Sequence, residues 1–167
     1  MAVLTILQYP DPRLYKKAAR VEIFDLGLSE LADSLAQTMY AAPGVGLAAT
    51  QVDIHKQLIV MDISADKNQL QVLVNPEILE RDGLQYCEEG CLSVPGIYDE
   101  VERAERIKLR AQRLDGSAFT LDAEGLLAIC IQHEMDHLQG KVFVDYLSRL
   151  KQNRIKAKLQ KQQRQSA

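Results

Sequence analysis

His133 and His137 stand four residues apart in Cys130-Ile131-Gln132-His133-Glu134-Met135-Asp136-His137. On an α-helix that spacing projects both imidazoles from one face. Two neutral imidazole nitrogens so close together suit a transition metal such as zinc or iron(II). Glu134 directly follows the first histidine. In the His-Glu-x-x-His arrangement its carboxylate lies beside a metal-bound water and can act as general base. The competing reading is two histidines hydrogen-bonded within a core helix, so the surroundings must decide.

A catalytic metal site usually takes three protein ligands and leaves a position open. Downstream of His137 there is no histidine, cysteine or glutamate, and the only acid is Asp145. Zinc proteases of this motif take their third ligand from a glutamate after the helix or a histidine six residues beyond the second. Here Phe143 occupies that latter place. The third ligand must therefore lie upstream. Cys130 shares the helix, but 130, 133 and 137 span ~10 Å at 1.5 Å per residue. Bonds of ~2.0–2.3 Å cannot gather all three, so Cys130 reads as a small hydrophobe. Cys87 and Cys91 remain, in a glycine-containing, loop-like segment, with His55 as an outside candidate.

The elements that must position these groups follow from pattern. Leu28, Leu31, Leu35 and Met39 fall at helical spacing, with Ser29 as the expected N-cap and Pro43-Gly44 as the stop. Gly44-Val45-Gly46-Leu47-Ala48-Ala49-Thr50-Gln51 superficially fits a dinucleotide fingerprint, but it follows a helix where that fingerprint must follow a strand. Its glycines read instead as places where another backbone approaches, a strand or a bound peptide. Leu58–Met61, Leu70–Val74 and the alternating Ile107–Gln112 read as strands, with Asp115-Gly116 turning into Phe119–Leu121. Asp122 is expected to cap the motif helix and Gly140 to end it. Leu126, Cys130, His133 and His137 share one stripe of that largely apolar helix. Burying two histidines and a glutamate there leaves polar groups in need of partners, which a metal supplies.

A 167-residue chain makes one domain. Three cysteines form no disulfide framework, which fits a reducing cytoplasm. No apolar run approaches a membrane span, and the opening residues carry no signal-peptide pattern. The net charge of −3 is uneven: Arg149 to Arg164 holds seven basic residues and no acid, so the rest carries 13 basic residues against 23 acids, or −10. Residues 1–150 read as the catalytic body and 151–167 as a basic helical tail of the same domain, suited to an anionic partner.

Three segments together, Gly44–Gln51, Glu89-Gly90-Cys91-Leu92-Ser93 and Gln132–His137, resemble peptide deformylases in order and spacing, as does the opening Tyr9-Pro10-Asp11-Pro12-Arg13-Leu14. The likeness covers roughly residues 3 to 155. It implies an α+β fold, with antiparallel sheets packed around a central motif helix and a C-terminal helix. It implies Cys91, His133 and His137 as ligands to one Fe(2+) per chain, replaceable by Zn(2+) or Ni(2+). Glu134 would be the acid/base, and Gln51 with the Leu92 backbone N–H would stabilise the oxyanion. Substrate would lie along Gly44, Val45, Gly46, Glu89 and Gly90, with its methionine side chain near Leu126, Ile129 and Cys130. The implied reaction removes the formyl group from the formyl-methionine of nascent polypeptides in the cytoplasm. Expected partners are those chains and, through the tail, the ribosome, with no DNA or membrane, and the protein a monomer. Relatives with a basic residue after Val94-Pro95 differ from this chain, which reads Gly96-Ile97-Tyr98-Asp99-Glu100. Rival readings are an internal-bond metallopeptidase and a structural zinc module closed by Cys87, Cys91, His133 and His137.

Overall fold

Asp25, not Ser29, starts the first helix. Its side chain accepts from the Leu28 N–H, four residues ahead of the expected cap, and opens α1 (Leu26–Ala41). The computed structural model describes residues 2–166, with side chains through residue 165. After α1 the chain forms β1 (Gly46–Ala48), a short 3₁₀ turn (Ala49–Val52) and β2 (Leu58–Met61). Then follow β3 (Gln71–Asp82), β4 (Gln85–Cys91), β5 (Val94–Arg103), β6 (Arg106–Gln112) and β7 (Ala118–Glu124). The motif helix is α2 (Gly125–Leu138), and α3 (Arg149–Ser166) closes the chain. Among the described residues the strands make two antiparallel sheets, one of five in the order β1-β2-β3-β6-β7 and the β4–β5 hairpin.

β2 explains how the layers stack. Strand side chains alternate between faces. Leu58 and Val60 join Leu28, Leu35 and Met39 of α1 in one buried cluster. Ile59 and Met61 join Ala128, Cys130 and Ile131 of α2 in another. Both faces are covered, so every residue of β2 is buried and the strand reads as an unbroken apolar run. A third cluster packs the N-terminal arm (Leu7, Tyr9, Leu14) and β5 (Val94, Ile97, Val101) against Phe143 and Ile155 and Leu159 of α3. The tail therefore enters the core through Ile155 and Leu159, while Leu150 stays exposed.

Two expected boundaries move. Asp122 lies in β7, and α2 starts after Glu124, where Gly125 takes a positive φ of 58°. The segment around Cys87 and Cys91 is no loop but the strand β4. Gly140 ends α2 as expected, at φ 77°.

Candidate metal centre

α2 delivers two imidazoles and β4 delivers a cysteine sulfur. Cys91 ends β4 at an irregularity in its pairing with β5, opposite Val94. Cys91 Sγ lies 3.3 Å from His137 Nε2. The ligand atoms of Cys91, His133 and His137 all lie within 4.8 Å of one another. Bonds of ~2.0–2.3 Å at tetrahedral angles set ligand atoms ~3.3–3.8 Å apart, so the Cys91–His137 separation already suits an ion and the remaining ones need to close. His137 is buried, and burial first, then the neighbouring His133 charge, lowers its pKa well below the usual histidine value. A neutral imidazole is the form that ligates a metal. Thiolate and imidazole are the donor set of zinc and iron(II), so the residues present fit such an ion.

The next layer holds His133 in place. Its Nδ1 lies 2.8 Å from Glu89 Oε1, which turns Nε2 toward the cysteine sulfur. Glu89 is itself gripped by Arg103, with Nε to Oε2 at 2.8 Å and Nη2 to Oε1 at 2.9 Å. Arg103 also reaches Asp136, which accepts from Tyr146 Oη at 2.7 Å, and its guanidinium lies over the Tyr146 ring. Burial acts to raise the Glu89 pKa, but Arg103 and His133 outweigh it and hold the carboxyl below its usual value. Glu89 also borders the cleft, with its side-chain oxygens engaged by Arg103 and His133.

Among the described residues, Glu134 is the carboxylate with a buried, unpartnered oxygen. It is 4% exposed, and its Oε1 is buried without a hydrogen-bond partner. Burial, partly opposed by His133 and helped by Glu89, pushes its pKa up to about 7. Gly46 is what lets it fit. A Cβ there would stand 2.7 Å from Glu134 Oε2 and 3.0 Å from Cys130 Sγ. At Gly44 a Cβ would meet Leu92 Cδ1 at 2.6 Å. These glycines make room for the Glu134, Cys130 and Leu92 side chains, while the Gly46 backbone pairs with Met61 of β2.

All of this opens onto a cleft of about 930 Å³. Its walls include Gly44, Val45, Gly46, Gln51, Gly90, Leu92, Leu126, Ile129 and Cys130, with His133 and Glu134 at one end. Cys130 is buried, burial raises its thiol pKa well above the usual value, and its Sγ faces the Val45 carbonyl at 3.9 Å. Cys87 lies on the cleft wall outside the ligand cluster, and His55 pairs with Asp53 at 3.1 Å. Asp136 and Ser93 stood in the sequence only as members of motifs, and nothing there pointed to Arg103. Ser93 accepts from Gln51 Nε2 at 3.0 Å.

A buried His-x-x-x-His helix, a strand cysteine and a carboxylate kept off the ligand set are the equipment of a metal-dependent hydrolase. A family model for polypeptide deformylase matches residues 3–153. A peptide deformylase of Chromobacterium violaceum is 59% identical over 99% of both chains. Peptide deformylase 1 of Burkholderia multivorans is 61% identical over 98% of this chain and 91% of its own. A solved peptide deformylase from Legionella pneumophila superposes with a TM-score of 0.95 at 49% identity, covering 99% of this chain and 98% of its own. The chain belongs to the polypeptide deformylase family, metal-dependent hydrolases that remove the formyl group from N-formyl-methionine.

Proposed function

We propose that Cys91, His133 and His137 hold one iron(II), replaceable by zinc or nickel, and that Glu134 moves the protons of deformylation. When bound, the ion supplies Lewis acidity, making a water nucleophilic near neutral pH and polarising the formyl oxygen. Glu134 takes the proton of the attacking water as its oxygen bonds to the formyl carbon. It then gives that proton to the amide nitrogen as the C–N bond breaks, leaving formate and a free amino terminus. Gln51 Nε2 and the Leu92 N–H steady the negative charge on the formyl oxygen. The methionine side chain lies among Val45, Leu126, Ile129 and Cys130. The peptide beyond it runs beside β1, which is an edge strand of its sheet and can take an added strand.

The observation that carries this reading is the unpartnered, buried Oε1 of Glu134 beside a ligand cluster that does not include it. A pKa of about 7 suits a group that must both accept and donate near neutrality. The rate should rise with pH as this carboxyl loses its proton. A nearby dication favours the carboxylate, so metal loading moves that acid limb below about 7. Glu134→Gln should keep its metal, lose ~10²–10⁴-fold in rate and lose the acid limb. A variant that lost the ion, or hydrolysed at the original rate, would remove Glu134 from this role.

The protein works on nascent chains in the cytoplasm as a monomer. No helix among the described residues is long and apolar enough to cross a membrane. Exposed Arg154, Lys158, Lys161 and Arg164 give α3 a cationic surface for ribosomal RNA. Removing 151–167 would also uncover the core around Ile155 and Leu159, so charge variants are the cleaner test. Changing those four residues to Gln should leave formyl-peptide hydrolysis intact while weakening ribosome binding and flattening its salt dependence. Unaltered affinity and salt slope would end the ribosome proposal.

A further inference from the structure

The Gln51 side chain is 1% exposed and tied at both ends. Its Oε1 accepts from the Ala48 N–H at 2.9 Å, which fixes which end of the carboxamide is oxygen. Its Nε2 donates to Ser93 Oγ at 3.0 Å and stands 3.5 Å from Cys91 Sγ. A carboxamide nitrogen carries two hydrogens. With one spent on Ser93, the second is turned toward Cys91, the side where the metal ligands gather. Ser93 is wholly buried, and its own backbone is held: the Tyr9 N–H donates to the Ser93 carbonyl at 2.7 Å. Two residues earlier in the same arm, the Leu7 N–H donates to the Gln51 carbonyl at 2.7 Å. The N-terminal arm thus ties donor and acceptor to one backbone.

We propose that Ser93 is a positioning residue for Gln51, with the Leu7–Tyr9 arm keeping the two in register. This rests on Gln51 acting as an oxyanion donor. Without the hydroxyl, Nε2 loses the shorter of its two acceptors. The carboxamide then keeps the Ala48 bond and the longer contact to Cys91 Sγ, and can turn about its soft terminal torsion.

The test is a double-mutant cycle on metal-loaded protein with a formyl-Met peptide. Ser93→Ala should lower kcat by roughly 10- to 100-fold through misplacement of the donor, with KM little changed. In a Gln51→Ala background the same change should cost nothing further. Ser93→Thr, which keeps the hydroxyl, should restore most of kcat. Ser93→Cys, nearly the same volume and a weaker acceptor, takes the place of Ser93→Ala in the cycle if the alanine variant does not fold. In zinc-loaded protein, the two side-chain amide proton shifts of Gln51 should draw together in Ser93→Ala. Equal kcat losses with and without Gln51, or unmoved amide shifts, would overturn the positioning role alone. An unchanged kcat in Gln51→Ala would sink the oxyanion reading and this inference with it.

Discussion

Arg103 is 5% exposed and held between two carboxylates, Glu89 and Asp136. Its value lies in what its removal would leave behind. Truncating one partner of a buried ion pair strands the other charge, commonly at ~3–5 kcal/mol. Arg103→Met should therefore lower unfolding stability by that order. It should also weaken metal binding ~10- to 100-fold, because His133 would lose its fixed carboxylate partner. Denaturant titration of the metal-free protein and metal competition read the two losses separately. A stable variant with native metal affinity would show that Glu89 holds His133 without help. Nothing in Val101-Glu102-Arg103 marks this arginine from sequence. It faces inward only because β5 pairs with β4 in a register that opposes Arg103 to Gln85 and Val101 to Cys87. The histidines and Glu134 were legible because their spacing lies within a single helix. The choice of Cys91 over Cys87 was not, because it depends on contact between β4 and α2, distant in sequence.

β2 was readable to its ends because apolar cover on both faces leaves an uninterrupted run. β4 was not readable. Its inward position 89 carries a glutamate needed for His133, and its outward positions carry Tyr86, Glu88 and Gly90. Alternation that marks a strand is erased where the inner face is polar by function. The caps erred for a local reason: the apolar stripe of α1 starts at Leu28, while its capping Asp25 stands three residues earlier. Gly140, a terminator read correctly like Pro43-Gly44 after α1, offers a matched test. It has φ 77°, and a Cβ would stand 2.5 Å from the Tyr15 carbonyl oxygen. Gly96 has φ 76° and nothing within 4 Å of a Cβ. Gly96→Ala should cost only the backbone strain of ~1–3 kcal/mol. Gly140→Ala should cost clearly more, since backbone must also shift. Equal denaturation midpoints for the two variants would contradict the close approach of Tyr15.

At the scale of the molecule, an antiparallel α+β frame brings three distant segments to one cleft. α2 is packed under the five-stranded sheet, β4 carries the cysteine sulfur to it, and the arm through Leu7 and Tyr9 ties Gln51 to Ser93. The acidic body and basic α3 were legible as a charge asymmetry, while the irregular spacing of Leu147, Leu150, Ile155 and Leu159 did not show that Ile155 and Leu159 enter the core and Leu150 stays out. The whole arrangement serves one bond cleavage, and its most direct test is formate release. Protein purified without air and loaded with iron(II) should convert formyl-Met-Ala-Ser to formate and an equal amount of free amino terminus. The acetylated peptide should react far more slowly, because its added methyl meets the crowded space beside Gly46 and Cys91. No formate from the iron-loaded protein, or equal cleavage of formyl and acetyl peptides, would contradict the assignment of this site to deformylation.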